Sequence, residues 1–278
     1  MYKKGEKIFD KLFPGEAVTY KEKLVELVNQ QLSGHQIAEK MGINYTTVHR
    51  WLRKLQLNLP NFHNELKFDN TVFDVIDTEE KAYWLGFLYA DGYISADRFS
   101  IELSLMGSDS EHLEKFRNFL HYKTPIKMGI STCKGNQFSR CRLHLVNEHF
   151  HNRLIALGCT PKKSLQLSFP DISIFASENL VFPFIRGYFD GDGCVTHTTN
   201  NELEMIIVGT KEMMEGIKLW CPNIFGTMMH KNKRHPNSNT YTLVCARHKA
   251  TALGHLLYDN ATIYLQRKYN KFNELKHD

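Results

Sequence analysis

Two aspartates, Asp91 and Asp192, close two copies of one short pattern, an apolar run carrying glycine followed by a small residue, Asp and Gly. The copies read WLGFLYADG over 84–92 and IRGYFDGDG over 185–193. Each run is too short to cross a bilayer yet apolar on nearly every side, as in a helix wedged between other elements. Gly86 and Ala90, like Gly187 and Gly191, stand four apart on one helical face, where small side chains let two helix backbones approach closely. The two helices are therefore expected to pack on each other. Gly92 and Gly193 suit left-handed caps, which places Asp91 and Asp192 in the last helical turn. A carboxylate there opposes the helix macrodipole by about 0.3–1 kcal/mol. Two such carboxylates at equivalent helix ends imply a cation that offsets them.

The duplication extends beyond the motifs. Residues 101–108 (IELSLMGS) align with 203–210 (LEMIIVGT) at a spacing of 102, the aspartates at 101, and Leu143 with Leu243 and Leu157 with Leu257 at 100. Both aligned segments read as strands running into a helix start. A two-copy repeat of strands and helices argues for one pseudo-symmetric α+β domain whose halves meet at the motif helices, not for a solenoid.

These motifs resemble the LAGLIDADG homing endonucleases in their single-chain, two-motif form. LGCTPKKSLQLSFP (157–170) and LYDNATIYLQRKYNKF (257–272) resemble the segments that close the first and second halves of that family. The resemblance runs from about residue 79 to the end, with halves at about 79–172 and 173–278. It implies two αββαββα-type halves forming a DNA-binding saddle. Tyr89 stands where the family has a first Asp, and Asp190 keeps it. The resemblance further implies that Asp91 and Asp192, with the carbonyls of Ala90 and Gly191, bind Mg2+ or Mn2+, and that one phosphodiester in each DNA strand is hydrolysed across the minor groove. Lys163 and Lys268 match the family's basic residues, with a charge-stabilising role. Most lysines are solvated surface residues, and Lys162 or Arg267 would serve with a shift of one. Base and phosphate contacts would come from the strands, with Lys127, Lys134, Arg140 and Arg142 as candidates in the first half and Lys231, Lys233, Arg234 and His235 in the second. The last four also read as a solvated loop, and Tyr241 and Thr242 suit either face.

A second unit precedes this domain. Tyr20 to Gln31 has helical character, and Ser33 with Gln36 forms a capping box for a helix through Met41, stopped by Gly42. In a third helix Val48, Trp51, Leu52 and Leu55 form an apolar stripe, while Thr46, Thr47, His49, Arg50 and Arg53 lie away from it. The pattern resembles the helix-turn-helix of bacterial and phage regulators, whose last helix enters the major groove. A three-helix protein-interaction module is the competing interpretation. Residues 1–60 carry 10 Lys or Arg against 6 Asp or Glu, so nearly all of the net charge of +5 sits on this unit. Such a basic patch suits double-stranded DNA. Residues 61–78 read as a linker, with Asp77 and Glu80 as the start signal of the first motif helix.

Composition bounds the rest. The chain has 278 residues, 42% of them hydrophobic, enough for a full core and a small accessory domain. No apolar leader is present, which argues against secretion and for the cytoplasm of a bacterial or phage-infected cell. Cys133, Cys141, Cys159, Cys194, Cys221 and Cys245 show no CxxC spacing, which argues against a zinc ribbon, and Cys194 reads as a small packing residue. His144, His149 and His151 read as surface or core residues more readily than as a metal site. The expected protein is a monomeric, magnesium-dependent DNA endonuclease. The alternatives are a non-catalytic DNA-binding regulator on the same scaffold and an RNA-splicing maturase. No intein splicing block is visible, since Met1 and His277-Asp278 replace the terminal residues such proteins use.

Overall fold

The computed structural model describes residues 20–30, 32–57, 59, 68–133, 135–161, 163, 166–225, 230–231 and 239–275. They fall into two compact units, residues 1–66 and 67–278. Of the residues singled out by sequence, Lys134, Lys162, Lys233, Arg234 and His235 lie outside the described residues.

The smaller unit holds three helices, α1 (Tyr20–Asn29), α2 (Gly34–Met41) and α3 (Tyr45–Leu55). The first ends at Asn29 and not at Gln31. Ser33 and Gln36 form the capping box, and Gly42 takes a left-handed cap at φ 62°. Leu24, Leu27, Ile37, Met41, Val48 and Leu52 make a separate small core, with Trp51 and Leu55 packed at its edge. Asn44 caps α3 by accepting from the Thr46 N–H.

The larger unit repeats one topology. Its first half runs α4 (Glu79–Asp91), β1 (Gly92–Ile94), β2 (Ser100–Met106), α5 (Ser110–Phe119), β3 (Lys127–Cys133), β4 (Asn136–Val146) and α6 (Glu148–Ala156). The second runs α7 (Val181–Asp192), β5 (Gly193–His197), β6 (Leu203–Gly209), α8 (Lys211–Trp220), α9 (Pro222–Phe225), β7 (His230–Lys231), β8 (Tyr241–Ala246), α10 (His248–Tyr258) and α11 (Gln266–Leu275). Each half forms an antiparallel sheet, ordered β1-β2-β4-β3 and β5-β6-β8-β7. One apolar core runs under both sheets, because alternate strand residues such as Leu103, Leu143, Ile207 and Leu243 point inward onto the helices.

Strand pairing refines the repeat. Gly92 lies opposite Leu103, and Gly193 lies opposite Ile207. Aligned from those glycines, β2 and β6 correspond at a spacing of 104, not the 102 read from sequence. Leu143 and Leu243 sit opposite Leu103 and Ile207, which keeps their spacing of 100. A slip of two preserves the inward and outward faces, which is why sequence could not detect it.

Three local expectations are corrected. Gly92 and Gly193 are extended, at φ −67° and −91°, and not left-handed. Each begins a strand directly after its helix, and a Cβ there would lie 2.6 Å from the Leu88 carbonyl or 2.5 Å from that of Phe189. Glycine serves close approach at these positions. Thr78, not Asp77, caps α4 by accepting from the Lys81 N–H, while Asp77 pairs with the Lys81 amine at 2.7 Å. The expected linker ends early, since Phe68, Val72, Phe73 and Ile76 are buried in the core of the larger unit.

The motif helices α4 and α7 cross at van der Waals contact of their backbones. A Cβ on Gly86 would lie 2.0 Å from the Phe184 carbonyl oxygen, and one on Gly187 would lie 1.9 Å from that of Tyr83. Gly187→Ala is therefore expected to cost about 3 kcal/mol, the upper range of overpacking penalties. Gly129→Ala, at an open strand position with nothing within 4 Å, should change stability by less than about 1 kcal/mol. Urea unfolding of the two variants measures the difference.

Candidate active site at the ends of the paired helices

The crossing of α4 and α7 brings Asp91 and Asp192 together at one end of the helix pair. Both carboxylates reach solvent, and each feels the charge of the other's neighbourhood. Two cavities flank them. One, of about 370 Å³, is lined by Asp91, Ser104, Asp109, Arg140, Gly191 and Arg267. The other, of about 190 Å³, is lined by Ala90, Lys163, Tyr188, Asp192, Val208 and Thr240. The corresponding positions 104 and 208 on β2 and β6, and 140 on β4 and 240 just before β8, thus line corresponding cavities. Each motif helix also lends its penultimate small residue to the cavity of the other.

The two lysines hold the helix ends. Lys163 donates to the carbonyls of Leu88, at 3.0 Å, and Ala90. Lys268 is buried and donates to the carbonyls of Phe189, Asp190, Gly191 and Gly193 at 2.8, 2.7, 3.2 and 2.5 Å. Apart from that of Gly193, at the start of β5, these carbonyls belong to the last turns of α4 and α7, where a cation complements the dipole. The carbonyls of Ala90 and Gly191, expected as metal ligands, are therefore engaged by amines. Burial lowers the pKa of both lysines, that of Lys268 to about 8.

The aspartates shift the other way. Asp91 is raised by the surrounding protein, opposed by Lys163, Lys268 and Arg267. Asp192 is raised to about 6 by desolvation and by repulsion from Asp91, opposed by the two lysines. This strongly shared, partly desolvated negative charge is what a hard divalent cation relieves. Two carboxylates are too few to complete such a shell, and no cluster of three or more His, Cys, Asp or Glu stands ready to hold a metal among the described residues. A Cβ on Gly191 would lie 2.2 Å from the Ala90 Cβ and 3.3 Å from the Asp91 Oδ2, so glycine here serves the close approach of the two helix ends. The donor set fits an ion whose remaining ligands are water and substrate oxygens, as magnesium prefers.

Asp190 has a different role. It is fully buried and accepts from the Tyr83 and Tyr258 hydroxyls at 2.8 Å each and from the Leu265 N–H at 2.7 Å. His112 in turn lies 2.9 Å from the Tyr83 oxygen through Nε2 and stays neutral, its pKa lowered to about 3 by burial. This network ties α7 to α4, α5, α10 and the start of α11, and so sets where Lys268 lies. Arg186 adds a second tie, donating to Glu79 and to the Leu257 carbonyl at 2.9 Å. Tyr89, in the equivalent position to Asp190, donates to the Leu157 carbonyl.

Sequence reasoning missed Asp109. It is almost buried and accepts from the Arg267 Nε at 3.0 and 2.9 Å, which ties α11 to the first half beside Asp91. A partner 158 residues away leaves no local signal. Of the strand candidates, Arg140 and Arg142 stand on the outward face of β4, with Lys127 directly opposite Arg142. Lys231 is exposed, Thr242 faces outward and Tyr241 packs against the core. Cys194 is exposed on the outward face of β5 and is not a packing residue. His149 pairs with Asp74, and His151 is buried against the Ser95 carbonyl. In the smaller unit Thr46, Thr47, Arg50 and Arg53 lie outside its core on α3, and the His49 ring lies 4.4 Å from that of Tyr45 at a tilt of 55°.

The raised Asp192 pKa has a stability consequence. Above about pH 6 the folded carboxylate is charged at a cost that the unfolded chain does not bear, and the cost fades as pH falls toward the ordinary carboxylate value. In EDTA, Asp192→Asn is expected to raise the melting temperature by about 2–4 °C at pH 7.5. At pH 4.5 the gain should fall to about a third of that value. Thermal scans at the two pH values check both the sign and the window.

Residues 19–59 match the family model described as a homeodomain-like domain. No curated protein matches the chain. Among solved structures, the homing endonuclease I-WcaI bound to its DNA recognition sequence is similar at a TM-score of 0.51 and 13% identity, over 70% of this chain and 87% of that one. The LAGLIDADG homing endonuclease I-LtrWI bound to target DNA aligns at 0.45 and 12%, over 72% and 91%. Full-length DUF199/WhiA from Thermatoga maritima aligns at 0.43 and 16%, over 74% and 63%. The chain thus joins a homeodomain-like helical unit to a unit with the α+β fold of the LAGLIDADG homing endonucleases.

Proposed function

We propose that this protein is a site-specific double-strand DNA endonuclease that uses a divalent metal held by Asp91 and Asp192. The observation that carries this reading is the meeting of two solvent-reaching carboxylates at equivalent helix ends, each beside its own cavity. Magnesium or manganese, when bound, would polarise the scissile phosphates and acidify the attacking water.

The chain's own residues then divide the work. Asp91 and Asp192 would hold divalent metal from opposite helices, one carboxylate serving each DNA strand. Lys163 and Lys268 keep positive charge behind the carboxylates and neutralise the helix ends, so that the site is preorganised for developing negative charge. Arg267, which lines the cavity of Asp91, supplies charge toward a phosphate there. The smaller basic unit tethers the nuclease to DNA and raises its effective concentration at the target.

A non-catalytic DNA-binding regulator is the second reading. The engagement of the Ala90 and Gly191 carbonyls by amines favours it, since the helix ends are then satisfied by protein alone.

Cleavage of the uninterrupted DNA that flanks the gene separates the two. With magnesium the natural protein is expected to make a staggered double-strand cut. Asp91→Asn and Asp192→Asn should each retain binding and slow cleavage about a thousandfold, the equivalent of several kcal/mol of transition-state stabilisation. Tight binding without cutting in magnesium or manganese would establish the regulator instead.

A further inference from the structure

The strand register makes the outward faces of the two sheets comparable position by position. At a spacing of 100, Arg140, Arg142 and His144 are replaced by Thr240, Thr242 and Val244. Opposite them, at a spacing of 104, Glu102 and Ser104 are replaced by Ile206 and Val208. Every polar or charged residue of the first set becomes a threonine or an aliphatic residue in the second.

The first face is built for polar readout. Arg140 donates from Nε to the Ser104 hydroxyl, and Arg142 lies 3.5 Å from Glu102, so both guanidinium groups are steadied before any ligand arrives. A guanidinium held in this way suits the paired acceptors of guanine. The second face carries Cys194, Thr196, Ile206, Val208, Thr242, Val244 and Ala246, and on β5, β6 and β8 its one charged outward residue is Glu204. Val244 is 38% exposed and Cys194 is also open to solvent. On these three strands the face offers methyl groups and hydroxyls but almost no charge.

We propose that the second sheet recognises its half of the DNA target through the C5-methyl groups of thymine, while the first sheet reads guanine. This deepens the nuclease reading and rests on it. Continuity with the carboxylates selects duplex DNA as the occupant. Val208 and Thr240 line the same cavity as Asp192, so a strand whose phosphate reaches that carboxylate continues over this face. There the major groove presents thymine methyls, the apolar feature of a base-pair edge.

The test uses the full-length natural protein with calcium, to hold binding without turnover. Bound duplexes are selected from a randomised library, and each thymine of the selected site is then replaced singly by uracil, which lacks only the methyl. Uracil is expected to weaken binding roughly threefold per contacted methyl in one half of the site. Val244→Thr should erase part of that sensitivity, which assigns the half to the second sheet. Arg140→Gln should relax base preference at guanines in the other half and leave the uracil profile unchanged. Positions read by the smaller unit respond to neither variant. A selected site with a flat uracil profile would overturn the inference and leave the DNA-binding reading standing. A library with no enrichment would overturn both.

Discussion

The architecture depends on one close approach, the contact of the α4 and α7 backbones at Gly86 and Gly187. Each glycine admits a carbonyl of the opposite helix into space that even a methyl group would fill. That contact sets the distance between the helix ends, and hence between Asp91 and Asp192. It also fixes the relation of the sheets, because β1 and β5 begin at the residues that follow the aspartates. Two halves that touched through longer side chains would separate the carboxylates and open the cavities beside them.

Packing two helices this tightly leaves their last carbonyls and charges crowded together, and the rest of the site resolves that crowding. Lys163 and Lys268 satisfy the carbonyls, while the Tyr188 hydroxyl donates to the Val208 carbonyl at 3.0 Å beside Asp192. Asp190 is the cost of the arrangement, a fully buried carboxylate compensated by two tyrosine hydroxyls and a backbone N–H. Buried charges persist only with such partners. The network around Asp190 orders the turn into α11, which carries both Lys268 and Arg267, so a residue away from the aspartate pair positions two beside it.

Duplication followed by divergence explains why the two halves differ where they do. Inward positions stay apolar in both, since both must cover the same helix pair. Outward positions diverge from Arg, His, Glu and Ser to Thr, Val and Ile, and Asp109 with Arg267 occurs on one side alone. The constraint on the core is shared, whereas each face answers to its own half of whatever it meets.

The sequence by itself determined the elements and their repetition. The motif glycines, the Ser33–Gln36 capping box and the alternation in β2 and β6 depend on neighbours a few residues away, and periodicity reports those directly. Tertiary structure decided what depends on distant chain. The Asp109–Arg267 pair, the amines on the Ala90 and Gly191 carbonyls and the burial of Phe68 and Phe73 involve partners that sequence spacing does not reveal. The extended conformations of Gly92 and Gly193 belong here too. A glycine after a helix commonly signals a left-handed cap, yet the sheet demanded a strand at once, and long-range pairing overrode the local preference. The register of β6 was hidden for a similar reason, since a slip of two residues keeps every side chain on its face and only the pairing across the sheet can tell the two apart.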